Sequence, residues 1–87
     1  MPGLSAPVVT VRYWAAAKAA AGRSEDTVEA GSVAEALEAA QRTHGAGLAR
    51  VLSAASVLVD GVRVEKDDPR PLAQGAVVEV LPPFAGG

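Results

Sequence analysis

The alternation of hydrophobic residues in the last strand-like segment stops at Leu81, and this stop limits what the chain can fold into. Pro82 and Pro83 follow directly. Because proline fixes φ at about −65° and has no backbone N–H, an interior strand cannot continue through this pair. We therefore expect a folded domain over residues 8–81 and an extended tail over residues 82–87. The proline- and glycine-containing residues 1–7 are expected to be flexible.

Size, charge and amino-acid composition exclude several classes of function. The chain has 87 residues, 49% of them hydrophobic, with one Phe, one Trp and one Tyr, so we expect one small domain with an aliphatic core. The net charge of −2 gives no basic surface for nucleic acid or an anionic membrane. The absence of cysteine excludes disulfides, thiolate metal sites and a cysteine nucleophile. With no signal-peptide pattern and no long apolar segment, we expect a cytoplasmic protein.

The first strand is predicted from the two-residue period of residues 8–14. This period assigns three side chains to the core, those of Val9, Val11 and Tyr13. It places Trp14 on the outer face or at the strand end.

Helix signals occur in three places. Residues 15–21 contain six alanines and precede Gly22, which favours a short helix with glycine just past its end. Ser32 and Glu35 form a capping box, and residues 33–44 carry an apolar stripe at helical spacing. This is the main helix, and Gly45 ends it. A further short helical turn is predicted over residues 48–52.

Four more strands complete the expected fold. Residues 23–30 are predicted to form an edge strand, and residues 56–64 a hairpin around Asp60-Gly61. The branched residues of the last strand, 76–81, suit a central position. The charged residues 65–69 are expected to form a solvated loop without a metal site. Together these elements predict an α+β domain, with a mixed sheet of about five strands crossed by one main helix.

Two regions are candidate functional sites. In the first, Trp14, Arg63 and Leu81 share the outer face of the predicted sheet and form a candidate protein-binding patch. The second is the tail itself, which ends in two glycines that leave the terminal carboxylate unhindered. His44, the single histidine, lacks a second imidazole or thiolate with which to hold a metal, so no metal site is predicted.

The tail and several internal segments resemble one known family. The ending Leu-Pro-Pro-Phe-Ala-Gly-Gly is similar to the C-terminus of the MoaD family, the small sulfur-carrier subunit of molybdopterin synthase. The resemblance covers about residues 8–87 and includes residues 11–15, 32–37, 59–61 and 72–78. It implies the β-grasp, ubiquitin-like fold. The sequence departs from several relatives at Arg63, where they have an apolar contact residue.

The resemblance also implies a chemistry and a set of partners. An adenylating partner similar to ubiquitin-activating enzymes would use ATP to activate the Gly87 carboxylate, and a sulfur donor would convert it to a thiocarboxylate. The large synthase subunit would then accept the tail and pass the sulfur to a pterin precursor. Gly86 and Gly87 would allow backbone passage through a narrow channel, Phe84 would anchor the tail, and Pro82 and Pro83 would keep it projecting. Ala85 would enter the channel with them as a further tail residue. No side chain of this chain would act as a catalyst, and no bound cofactor is expected.

Other functions share the same features. Related carriers serve thiamine thiazole synthesis and cysteine synthesis, and fold alone does not separate them. A ubiquitin-like modifier, joined to lysines of target proteins, would also begin with activation of a Gly-Gly end. A binding module of the same fold would not use the tail at all.

Overall fold

A computed structural model describes residues 6–83 of the chain. Five strands form one mixed sheet in the order β2-β1-β5-β3-β4. They are β1 Val8–Tyr13, β2 Glu25–Glu29, β3 Ser56–Val59, β4 Val62–Val64 and β5 Val77–Leu81. Strands β1 and β5 are parallel, and the other neighbouring pairs are antiparallel. The predicted central position of the last strand is confirmed, since β5 lies between β1 and β3.

Three helices connect these strands: α1 Ala15–Ala21, α2 Val33–His44 and α3 Ala46–Ala54. The helical turn predicted over residues 48–52 is confirmed in its place and its packing, but the helix is longer than predicted. Its segment is part of a nine-residue helix that packs Leu48 and Leu52 into the core. The apolar spacing revealed the buried side of this helix but not its length, because its first residues, Ala46 and Gly47, carry little hydrophobic signal.

The side-chain assignment of β1 is confirmed. Val9, Val11 and Tyr13 are at most 1% exposed, whereas Trp14 is 46% exposed. On β5, Val78 and Val80 are fully buried against the same core. The outer face of the sheet therefore carries the intervening side chains of β5, including Glu79 and Leu81, together with Arg12 of β1.

The predicted caps are also present. Gly22 ends α1 with a φ of +76° and donates its N–H to Lys18 O at 2.9 Å. Ser32 Oγ accepts the Glu35 N–H at 3.3 Å at the start of α2. The Glu35 carboxylate reaches one residue further back than a standard capping box, to the Gly31 N–H at 2.7 Å.

The hairpin turn has the predicted type. Asp60 and Gly61 both have positive φ, +49° and +85°, as a type I′ turn requires. Asp60 also joins the turn to the start of β5, because its backbone N–H donates to Val77 O at 2.9 Å and its carboxylate accepts the Val77 N–H at 3.0 Å.

The prediction of a solvated loop over residues 65–69 was wrong for Asp68, which is only 8% exposed. Its carboxylate accepts hydrogen bonds from the backbone N–H of Arg70 at 2.9 Å and from Arg70 Nε at 3.0 Å. These contacts lower the pKa of the Asp68 carboxyl to about 2. Sequence composition did not reveal this local ion pair, because it depends on the backbone conformation between Asp68 and Arg70.

Within residues 6–83, no helix has both the length and the apolar character needed to cross a lipid bilayer. The flexible segment predicted for residues 1–7 falls mostly outside the described part of the chain.

Candidate functional site

The predicted tail begins at Pro82, directly after the last residue of the central strand β5. After Leu81, Pro82 is half-buried and Pro83 is exposed. Phe84, Ala85, Gly86 and Gly87, the remaining predicted tail residues, lie outside the described residues. The structure therefore defines the root of the tail, and the roles predicted for the other tail residues stay predictions.

Trp14 and Leu81 come together at this root. The parallel pairing of Arg12 with Glu79 and of Tyr13 with Val80 brings Trp14 alongside Leu81. The Trp14 N–H also donates to Val80 O at 3.2 Å. Trp14, Ala15, Leu81 and Pro82 line an open, mainly apolar hollow of about 170 Å³. We call this hollow, lined by these four residues, the root hollow.

Arg63 lies on the same outer face but apart from the root hollow. It pairs with Leu58 of β3, which in turn pairs with Glu79 of β5. Three strand spacings, about 14 Å, therefore separate β4 from β1. The structure therefore brings Trp14 and Leu81 together and places Arg63 apart from them. The partner-binding role of all three residues remains a prediction.

Glu79 is a residue of this site that sequence reasoning missed. Its Oε2 accepts a hydrogen bond from the indole Nε1–H of Trp14 at 3.0 Å. The two-residue period of β5 puts Glu79 on the same outer face as Leu81. The contact itself depends on the parallel register of β1 and β5, which the sequence does not specify.

A second feature at the root is the backbone of Ala15. Its φ is +50°, in the left-handed region that non-glycine residues rarely adopt. This turn lets α1 begin directly after Trp14, whose carbonyl accepts the Ala17 N–H at 3.0 Å. A left-handed alanine costs about 1–2 kcal/mol, so the surrounding contacts must hold it in place.

Behind the sheet, a part-buried polar cluster of Tyr13, Asp26 and His44 joins β1, β2 and the end of α2. The Tyr13 hydroxyl donates to Asp26 Oδ2 at 2.7 Å, and His44 Nε2 lies 2.6 Å from the same oxygen. Because an ionised carboxylate only accepts hydrogen bonds, His44 Nε2 must carry the proton. The Tyr13 and His44 rings also meet edge to face, with their centroids 5.8 Å apart. These contacts give His44, the single histidine, a structural role in the cluster.

The cluster shifts two ionisation equilibria. Burial, with the hydrogen bond to Asp26, raises the pKa of the Tyr13 hydroxyl above its ordinary value. Partial burial alone would raise the pKa of the Asp26 carboxyl. The hydrogen bonds from Tyr13 and His44 outweigh that effect and lower the pKa below its ordinary value.

The lowered pKa of Asp26 predicts a pH dependence of stability. Because the folded chain binds this proton less readily than the unfolded chain, the stabilisation is complete above the unfolded pKa, about 4, and is lost as the pH falls below it. We expect the urea midpoint of the wild type to fall between pH 5 and pH 3. The Asp26→Asn variant should show a shallower fall, and the Glu29→Gln variant, altered at an exposed carboxylate, should follow the wild type. Equal slopes for Asp26→Asn and wild type would contradict this prediction.

The described residues contain no group of three His, Asp or Glu side chains that could hold a metal ion. Two larger hollows, of about 300 and 310 Å³, lie beside the β3–β4 hairpin and between α2 and α3. Neither is lined by a residue that the sequence analysis singled out for function. The root hollow is therefore the site where the sequence predictions and the geometry meet.

Comparison with models of known protein families shows to which family the chain belongs. The profile of the ThiS family matches residues 11–87. The chain belongs to the ThiS family. A search of curated proteins finds no significant match.

Solved structures agree with this ThiS-family assignment. Small archaeal modifier protein 1 of Haloferax volcanii superposes with a TM-score of 0.79 at 23% identity, covering 92% of this chain and 99% of its own. A Pyrococcus furiosus protein, provisionally assigned as molybdopterin converting factor subunit 1, gives a TM-score of 0.72 at 25% identity, covering 91% of this chain and 100% of its own.

A third similar structure is a protein complex of subunits 1 and 2 of molybdopterin-converting factor from Helicobacter pylori. The matching chain gives a TM-score of 0.71 at 24% identity, covering 92% of this ThiS-family chain and 99% of its own. These neighbours confirm the predicted β-grasp, ubiquitin-like fold and the resemblance to MoaD-type sulfur carriers.

Proposed function

We propose that this chain is a sulfur carrier whose Gly87 carboxylate is adenylated and then converted to a thiocarboxylate, which donates sulfur in molybdopterin biosynthesis. The observation that carries the proposal is the match to the ThiS family, which extends through the last residue, Gly87. The fold fits this use, because the central strand β5 leads directly into the Pro-Pro pair that begins the tail.

The proposed chemistry takes place in two steps at the Gly87 carboxyl group. First, a Gly87 carboxylate oxygen attacks the α-phosphorus of ATP, pyrophosphate leaves, and an acyl adenylate forms. A sulfide-level donor then attacks the acyl carbon, the carbon–oxygen bond to AMP breaks, and a proton is released. The partner supplies the ATP site and the catalytic groups, so this chain contributes the reacting group and the surface that presents it.

Two partners and one compartment follow from this proposal. The first partner is a ubiquitin-activating-enzyme-like adenylyltransferase, and the second is a large molybdopterin-synthase-type subunit. The second is supported by the Helicobacter pylori complex, in which subunit 1 of molybdopterin-converting factor is bound to subunit 2. ATP and a pool of low-valent sulfur are both available in the cytoplasm, where we place the protein.

The pathway is tested by offering the charged carrier to different acceptors. The thiocarboxylated chain should lose its sulfur when it is mixed with a large molybdopterin-synthase subunit and its pterin precursor, as measured by intact mass. It should keep its sulfur with the acceptor enzymes of thiamine thiazole synthesis or cysteine synthesis. Discharge only by one of the latter would assign the carrier to that pathway instead.

A second candidate function is a ubiquitin-like protein modifier. The similarity to small archaeal modifier protein 1 of Haloferax volcanii, with a TM-score of 0.79, favours it. Here a lysine amine, rather than sulfide, would attack the acyl carbon, and AMP would leave. Covalent ladders of the chain on other proteins in cell extracts, resistant to reducing agents, would support the modifier. A chain recovered only in free and thiocarboxylated forms would support the carrier.

A further inference from the structure

Trp14 is exposed, yet its backbone is fixed on both sides. Its N–H donates to Val80 O at 3.2 Å, which joins it to the central strand. Its carbonyl accepts the Ala17 N–H at 3.0 Å, which joins it to the first turn of α1. With 46% of the residue exposed, the Trp14 side chain is not part of the hydrophobic core. A large ring that is both anchored and exposed is suited to binding, because little conformational freedom remains to be lost.

Glu79 fixes the remaining freedom of that side chain. Its Oε2 accepts the indole N–H at 3.0 Å, across the parallel pair β1–β5. Arg12 is the direct neighbour of Glu79 on β1, but its guanidinium forms an ion pair with Glu25 on the other side, at 3.3 Å. The Glu79 carboxylate is thus left to the indole. The hydrogen bond fixes the position of the indole ring, which forms one wall of the root hollow.

The unfavourable backbone conformation of Ala15 indicates that surrounding contacts hold this part of the chain in place. The left-handed φ of +50° is unfavourable for alanine, and the turn it produces ends β1 at the point where Trp14 lies beside Leu81. Ala15 and Pro82 complete the lining of the hollow. The strained turn, the fixed ring and the first proline of the tail therefore meet at one place.

We propose that Glu79 is a positioning residue: by holding the Trp14 indole, it fixes the wall of the root hollow against which the partner that activates the tail docks. The expected effect of Glu79 on KM rests on the proposed sulfur-carrier function. The expected effect of Glu79 on the Trp14 indole does not. Glu79 touches no reacting atom. Its loss should therefore weaken docking and leave the chemical step unchanged, which means a higher KM with a constant kcat.

The structural consequence is measured on the isolated chain. Because the chain has one tryptophan, its indole N–H gives a single nitrogen-15 signal. In the wild type, the order parameter of this N–H should be about 0.85, and in Glu79→Ala it should fall below about 0.6. Glu79→Gln keeps an amide oxygen as acceptor and should restore the wild-type value. Glu29→Ala, which removes an exposed carboxylate at the far end of the sheet, should leave the signal unchanged. An equally rigid indole in Glu79→Ala would overturn the proposal.

The kinetic consequence is measured with the adenylating partner, ATP and each variant. For Glu79→Ala we expect KM to rise about 3- to 10-fold, the usual effect of one lost hydrogen bond, with kcat within about twofold. Glu79→Gln and Glu29→Ala should match the wild type. A lower kcat with unchanged KM, or no change in either, would overturn the positioning role. Failure of the wild-type chain to be activated would refute the proposed function, and the indole relaxation would still decide what Glu79 does.

Discussion

Adding one alanine after Gly87 should abolish activation of the chain by its adenylating partner. The added residue moves the terminal carboxylate by about 3.5 Å along the tail and places a methyl group beside it. Since a misplacement of about 1 Å can cost about 100-fold in rate, we expect ATP–pyrophosphate exchange to fall by about 100-fold or more. Under the proposed function no side chain could compensate, because the carboxylate itself would be the substrate.

The matched control is an alanine added before Met1, which changes the length of the chain but not the tail. This variant should support exchange at the wild-type rate. Both variants should also unfold at the same temperature as the wild type, since neither change touches the described core. If the chain extended after Gly87 were activated within about twofold of the wild type, the terminal carboxylate would not be the reacting group.

Leu81→Asp should weaken the binding of the large synthase subunit by about 30-fold, which corresponds to about 2 kcal/mol and is typical of a hot-spot residue. Leu81 is half-buried on the outer face and lines the root hollow with Trp14. A carboxylate there would lose its hydration when the partner covers the hollow, and no cation among the described residues lines the hollow to pair with it.

Calorimetric titration measures this affinity, and Val62→Asp is the matched control. Val62 is an apolar residue on edge strand β4 and is 64% exposed, away from the tail. This variant should bind within about twofold of the wild type. Wild-type affinity for Leu81→Asp would remove the root hollow from the interface. Loss of the folded state, seen by circular dichroism, would instead mean that Leu81 is required by the core.

The sequence predicted the elements whose signals are local and periodic. The period of residues 8–14 correctly separated the buried Tyr13 from the exposed Trp14, because adjacent residues of a strand face opposite sides. Asp60-Gly61 correctly gave the hairpin, since both positions need positive φ. The resemblance of the tail supplied the family, which periodicity alone could not have done.

Contacts between distant segments could not be predicted in this way. Asp26 and His44 are 18 residues apart, and they meet because β2 pairs with β1 and α2 ends over that pair. The Trp14–Glu79 hydrogen bond spans 65 residues and depends on the register of two parallel strands. A shift of one residue in that register would move Glu79 to the opposite face. Such contacts follow from tertiary packing, for which one sequence carries no local signal.

The central claim is that the Gly87 carboxylate carries the sulfur, and fragmentation of the intact, charged chain by mass spectrometry tests it most directly. The chain would be incubated with the adenylating partner, ATP and sulfide before measurement. We predict that the intact mass rises by the difference between one sulfur and one oxygen atom. The whole difference should lie in the C-terminal fragment that contains Gly87. An unchanged mass, or sulfur located on any other fragment, would contradict the account.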